Sequence, residues 1–290
     1  MTDLTEAVDV EHAPGASLWA DPGATAATDP DTGLVFVDLS HPWGTHTPVF
    51  PGYPDIRIHR SVTHASHGVM SQHIRTVMHN GTHVNAPVHL VQRGVGVGDL
   101  ELERFFGSGI VLPIAKERWE LVEAEDLEAC PLEVFPDDIV IVHTGWHRNY
   151  SDSQEYFGDG PGLGKSAAEW LIERKVKLVG IDTATIDHPL ATSLGRHRNG
   201  PVMHGLPERY EQVTGRRPEE DFPDWNPAHR ALLAAGIPTI ENVGGGIAQV
   251  SGKRCTFQAF PWRWPKGDAC VVRLAAIFDP SGEYLLGAGA

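Results

Sequence analysis

The chain has 290 residues, 41% hydrophobic and 21% charged, enough apolar material for one large domain with a real core. Acids outnumber bases 38 to 23, and the net charge of −15 argues against a polyanion such as nucleic acid as partner. No run approaches the ~18 consecutive apolar residues of a membrane span, and no basic and apolar leader opens the chain. Cys130, Cys255 and Cys270 lack CxxC spacing, so the sequence predicts a cytoplasmic protein with reduced thiols.

Residues 1–33 contain seven acids and no Lys or Arg, and read as a flexible acidic arm before a domain spanning 34–290. Ordered structure is expected from Leu34 to Ser40, a β-prone run, followed by a loop to Pro54 that carries Trp43, Phe50 and Tyr53. A strand is expected over Ile74–Met78, leading into His79-Asn80-Gly81. Ile139–Val142 is a β-branched run suited to the centre of a sheet. Ser166–Lys175 has helical spacing, and Lys177–Asp182 reads as a buried strand ending on an acid. Residues 195–225, rich in Arg, Gly and Pro and including His197, Arg198 and His204, read as a long surface loop. Asn226-Pro227 predicts a helix start with Asn as its cap, and Gly236 its stop. Strands are expected over Ile237–Val243 and Ala269–Ile277. The pattern is one α/β domain.

Sixteen histidines are the unusual feature, and the stretch His79 to His89 concentrates them. An isolated His-x-x-x-His pair is more often two solvated side chains than a site. Here Asn80-Gly81 is a turn dipeptide, Thr82 and Val84 are β-branched, and Pro87 breaks a helix. A tight loop that turns several imidazoles and the Asn85 amide oxygen toward one point accounts for them better. Such donors suit Zn²⁺ or Mn²⁺. His89, just past Pro87, is placed to move a proton beside such an ion. Two distant residues can join them. The helix from His229 to Gly236 carries the chain ~11 Å away, and about four strand residues bring it ~13 Å back to Glu241.

The His79-x-Gly81-Thr82-His83-x-Asn85-x-Pro87-x-His89 stretch resembles the HxGTHxDxPxH signature of the cyclase-like metal-dependent hydrolases, which include bacterial kynurenine formamidase and isatin hydrolase. The resemblance extends from about Val35 to Ile277. It implies a swivelling β/β/α fold with a mixed sheet, a divalent metal, a small-molecule substrate and a homodimer or homotetramer. It also assigns His79, His83, Asn85, His229 and Glu241 as metal ligands and His89 as the acid/base. Trp43, Phe50 and Tyr53 are candidates for an aromatic substrate wall. The implied activity is hydrolysis of an amide, lactam or lactone. Asn85 stands where the family signature has Asp, so it keeps a carbonyl oxygen and loses the charge that bridges two cations. That departure leaves open a single-metal enzyme, a catalytically degenerate binding homologue and a metal-dependent lyase or isomerase. Asp182 and Asp187 can either orient histidines or cap turns.

Overall fold

The computed structural model describes residues 25–284. Its strands are β1 (Ala26–Thr28), β2 (Val35–Asp38), β3 (Arg57–Val62), β4 (Ser71–Arg75), β5 (His83–Asn85), β6 (Phe106–Pro113), β7 (Leu121–Val122), β8 (Ile139–His143), β9 (Gly162–Leu163), β10 (Leu178–Ile181), β11 (Thr239–Glu241), β12 (Arg254–Gln258), β13 (Ala269–Val271) and β14 (Ala275–Phe278). The helices are α1 (His64–His67), α2 (Ala124–Ala129), α3 (Gln154–Gly158), α4 (Lys165–Glu173), α5 (Leu206–Thr214), α6 (Pro218–Asp221), α7 (Pro227–Ala234) and α8 (Ile247–Val250). None is long and apolar enough to cross a membrane.

Ten strands form one mixed sheet in the order β1-β2-β14-β12-β6-β8-β10-β11-β5-β13. The centre, β6-β8-β10-β11, is parallel, and every pairing outside it is antiparallel. Strand β13 is an edge and β14 is third from the other edge, yet only Val272 to Leu274 separate them. That link reaches at most about 14 Å, whereas seven spacings of a flat sheet need about 33 Å. The sheet must therefore curl until its flanks meet. They do: Leu39 donates to the Leu274 carbonyl at 2.8 Å, Val272 to that of Thr82 at 3.1 Å, and Ser40 bridges to Val243.

The curl creates two cores. On β8, Ile139 and Ile141 face the inner cluster with Val84, Ile240 and Phe257, while Val140 and Val142 face the outer cluster with Leu171 of α4 and Leu232 of α7. Alternate residues thus bury opposite faces. This is why the run carries no polar residue before His143. The α/β fold with a mixed sheet is the one expected.

Four expectations need correction. Of the arm expected over 1–33, residues 1–24 lie outside the described residues, but 25–33 are ordered. There Asp29 Oδ1 accepts the Asp31 and Thr32 N–H groups at 3.0 and 2.8 Å, and this turn folds β1 back onto β2. Residues 195–225 are not a loop alone. They hold α5 and α6, whose Leu206, Tyr210 and neighbouring Phe222 enter a third, largely aromatic cluster with Trp119 and Tyr156. Pro207 in the first turn of α5 and Gly215 at its left-handed end are helix punctuation, not loop composition. The strand expected at Ile74–Met78 lies earlier, as β4, paired with β3 in an exposed hairpin. The final expected strand is split, because Val272–Leu274 carries the chain across the closure.

Candidate metal centre

The antiparallel register of β5 and β11 sets Glu241 opposite His83 and Thr239 opposite Asn85. Opposed residues share a face, and His83 Nε2 lies 3.1 Å from Glu241 Oε2. His79 sits in the turn before β5, and its Nε2 is 2.9 Å from Oδ2 of Asp268, the residue before β13. His229 enters from the first turn of α7, its Nδ1 3.8 Å from Glu241 Oε1 and its Nε2 2.8 Å from Thr239 Oγ1. His89 ends a 3₁₀ turn that begins at Pro87; its ring centre is 4.2 Å from that of His79 and 5.6 Å from that of His229.

The motif residues between these side chains have local reasons to be what they are. Gly81 has φ +67°, and a Cβ there would meet Trp43 Cδ1 at 2.9 Å. Thr82 donates its hydroxyl to the Asn242 carbonyl at 2.6 Å and accepts the His41 N–H at 3.0 Å, tying the turn to β2 and β11. The His79/His83 pair is therefore turn and strand, not helix face, as expected.

Burial sets the protonation states. It pulls the His89 imidazole down to about 3, helped by His79 and His229. It pulls His229 down to about 4 against the opposing charge of Glu241. Burial also opposes the charge on Glu241, but His83, His229 and the Ile186 N–H at 2.8 Å together hold its carboxyl well below the usual carboxylate range. The hydrogen bond from His79 leads in bringing Asp268 down to about 2.

These groups suit a divalent cation. His83 Nδ1 donates to the Gly81 carbonyl at 2.8 Å, so in the neutral ring Nε2 carries the lone pair. That Nε2 is buried without a hydrogen-bond partner, facing an ionised carboxylate oxygen. Either a proton on Nε2 or a cation between the two atoms satisfies this contact. With Nε2 held by Asp268, His79 likewise has Nδ1 left to bind. His79, His83, His229 and Glu241 thus offer three nitrogens and a carboxylate. Asn85 Nδ2 donates to Glu241 Oε2 at 3.1 Å and its Oδ1 is buried without a partner. A different grouping of donors is also present: single atoms of His79, His89 and Asp268 lie within 4.8 Å of one another.

A cavity of about 170 Å³ opens over this centre. Phe50 and Tyr53 line it, their rings 5.6 Å apart and Tyr53 6.1 Å from His79. Trp43 does not line it. It packs beneath Gly81 and borders a separate cavity of about 780 Å³ with His41, Ile74 and Trp262.

The two aspartates weighed from sequence also find their places. Asp187 receives the Ala228 and His229 N–H groups at 2.8 and 3.1 Å and so caps α7, a task expected of Asn226, whose side chain makes no cap bond. Asp182 accepts from Thr144 N, Thr144 Oγ1, Gly145 N and His147 Nδ1 at 2.6–3.1 Å, which organises the turn after β8. His143 and His147 stand beside it, but its oxygens are already taken by these donors. Sequence reasoning missed Asp268, Thr239 and Trp225, and placed Arg198 in a surface loop rather than on the cavity wall. Only Thr239 left a signal, two residues from Glu241 and so on the same strand face.

The putative cyclase family profile matches residues 37–188. The kynurenine formamidase of Bordetella petrii is 31% identical over 162 residues, covering 55% of this chain and 74% of that protein. That of Sphingopyxis alaskensis is 26% identical over 208 residues, covering 61% and 87%. Among solved structures, an isatin hydrolase bound to the product analogue thioisatinate has a TM-score of 0.68 at 19% identity, covering 85% of this chain and 93% of that one. A potential metal-dependent hydrolase with cyclase activity has a TM-score of 0.61, also at 19% identity, covering 86% and 99%. These likenesses to solved structures show the fold. Fold and relatives together define a hydrolase. The chain belongs to the cyclase family.

Proposed function

We propose that the protein is a divalent-metal-dependent hydrolase that opens an amide, lactam or lactone bond of a small molecule. The observation that carries this reading is that His83 and His229 both approach Glu241, while His79, His89, His229 and Glu241 line one cavity. A bound Zn²⁺ or Mn²⁺ would supply Lewis acidity, polarising the carbonyl and making water more acidic. His89 removes a proton from the attacking water and returns it to the leaving nitrogen or oxygen. Phe50 and Tyr53 present two tilted aromatic rings to the substrate. The Asn85 amide, bonded to Glu241, supports a single ion in place of two. Kynurenine formamidases among the relatives favour the hydrolase over a binding homologue or a lyase.

Two further readings belong with this one. The exposed β3–β4 hairpin, with Val69, Met70 and Ile74 open to solvent, supports a homodimer or homotetramer, because an isolated hairpin is marginal in water. Three unpaired cysteines support a cytoplasmic location.

The test is metal analysis of the purified protein, then a panel of amides, lactams and lactones with the metal restored. Replacing His89 with Ala should lower kcat by roughly 10²- to 10⁴-fold with metal content intact. Loss of metal in that variant would make His89 a ligand and favour the grouping of His79, His89 and Asp268.

A further inference from the structure

Arg198 and Trp225 line both the cavity over the candidate metal centre and the groove outside it, so they stand at its mouth. The Arg198 guanidinium lies 4.0 Å over the Trp225 ring, and Arg230 of α7 flanks the same indole at 5.7 Å. Neither arginine forms an ion pair among the described residues. The contrast with Arg196, two positions earlier, is direct: that side chain binds Glu208, Glu211 and Glu219. In a chain of net charge −15, two guanidiniums without ion-pair partners are cations left over for a ligand. Arg198 is the one Lys or Arg among the cavity's lining residues, on the opposite side of the charge balance from Asp187 and Glu241.

Two more observations fall on the same wall. The Asn226 side chain makes no hydrogen bond, and its Oδ1 is buried and unpartnered. Arg198 holds a positive φ of +55°, in the left-handed region that side chains other than Gly, Asn and Asp rarely adopt, and Asn226 beside it holds +45°. Such strain collects where a ligand is clamped. A strained arginine without an ion pair on one side of a small cavity is not explained by opening a carbonyl.

We infer that this wall is an anion subsite, and that the substrate carries a carboxylate remote from the bond being cleaved. The planar guanidinium takes a carboxylate through two parallel N–H bonds. The Trp225 face beneath it fixes its plane and excludes water from one side. The substrate class is then a small amide or lactone acid, with its carbonyl at the imidazoles and its carboxylate at Arg198. This inference rests on the hydrolase reading, and its test separates the two.

The full chain, loaded with its metal, is assayed on 3-formamidobenzoate and on the neutral isostere 3-formamidobenzamide, and titrated with the unreactive 3-aminobenzoate while Trp fluorescence is followed. We expect kcat/KM to favour the carboxylate at least tenfold, and Arg198→Gln to bring that ratio near one by raising KM for the carboxylate. Arg198→Lys, which keeps the charge and loses the fork, should restore part of the preference. 3-Aminobenzoate should saturate the wild-type protein and bind at least tenfold more weakly to Arg198→Gln. Equal kcat/KM for the two substrates in the wild type, or a ratio unmoved by Arg198→Gln, overturns the subsite. If neither formamide is cleaved, the hydrolase reading loses support, while the 3-aminobenzoate titration alone decides the subsite.

Discussion

At the scale of single residues, the candidate centre is set by what holds the far side of each donor. His83 Nδ1 is fixed by the Gly81 carbonyl, His79 Nε2 by Asp268 and His229 Nε2 by Thr239. Each ring is oriented before any ion arrives. His83→Ala should therefore cost most of the bound metal, read by elemental analysis after dialysis; full occupancy in that variant would remove His83 from the ligand set. Asp182 makes the same argument for stability. It is fully buried, and burial opposes its charge, yet the bonds from His147 and Thr144 outweigh burial and lower its pKa below 3.8. An acid whose folded pKa is lowered adds stability that is complete above its unfolded value, about 4, and lost as pH falls through the folded value. Asp182→Ala should cost about 3 kcal/mol at pH 7, through the donors it strands. It should also flatten the fall in stability below pH 4, and denaturant midpoints measured from pH 7 to pH 3 check both.

At the scale of elements, the site depends on two pairings made by one short strand. Strand β5 has three residues, yet it is held between β11 and β13, and both neighbours contribute to the centre. Strand β8 is held as tightly on its β6 side, where Gly109 pairs with Ile139. A Cβ at Gly109 would run into the Ile139 carbonyl and the Phe257 ring. Gly109→Ala should thus destabilise the protein by about 3 kcal/mol, because the obstacle is backbone in the sheet centre and cannot swing aside. Thermal unfolding measures it, and an unchanged midpoint would mean that β6 and β8 are less closely paired than described. Helix α7 shows why local signals mislead at ends. Asn226-Pro227 marks the start correctly, but the orphan N–H groups are taken by Asp187, 41 positions from Ala228. No window of sequence contains both partners.

At the scale of the whole molecule, the curl of the sheet decides exposure as well as function. Cys255 is on β12 and Cys270 on β13, both buried by the closure, whereas Cys130 at the end of α2 is half-buried. Burial pushes the Cys255 thiol up to about 12 and raises that of Cys270. At pH 8 a thiol reagent should find one quickly reacting group, Cys130, and all three only in denaturant. Two or more fast thiols in the native protein would contradict the closed arrangement. The excursion over 195–225 belongs to this scale too. Its aromatic cluster with Trp119 and Tyr156 anchors α5 and α6 beside the cavity, which brings Arg198 to the mouth.

By itself the sequence determined the elements whose signals are local and strong: the β-branched run of β8, the amphipathic α4, the Asn-Pro start of α7, and a turn from His79 to His89 that could not be helix. It also supplied the ligand types, since imidazole and carboxylate chemistry is written in residue identity. The tertiary structure alone decided the rest. His83 meets Glu241 through a strand register, Asp268 reaches His79 across 189 positions, and Trp43 faces away from the cavity while Arg198 faces it. The reason is physical. Periodicity and capping act over a few residues, whereas the focus of a site is fixed by which strands become neighbours when a ten-stranded sheet curls to bury both its faces.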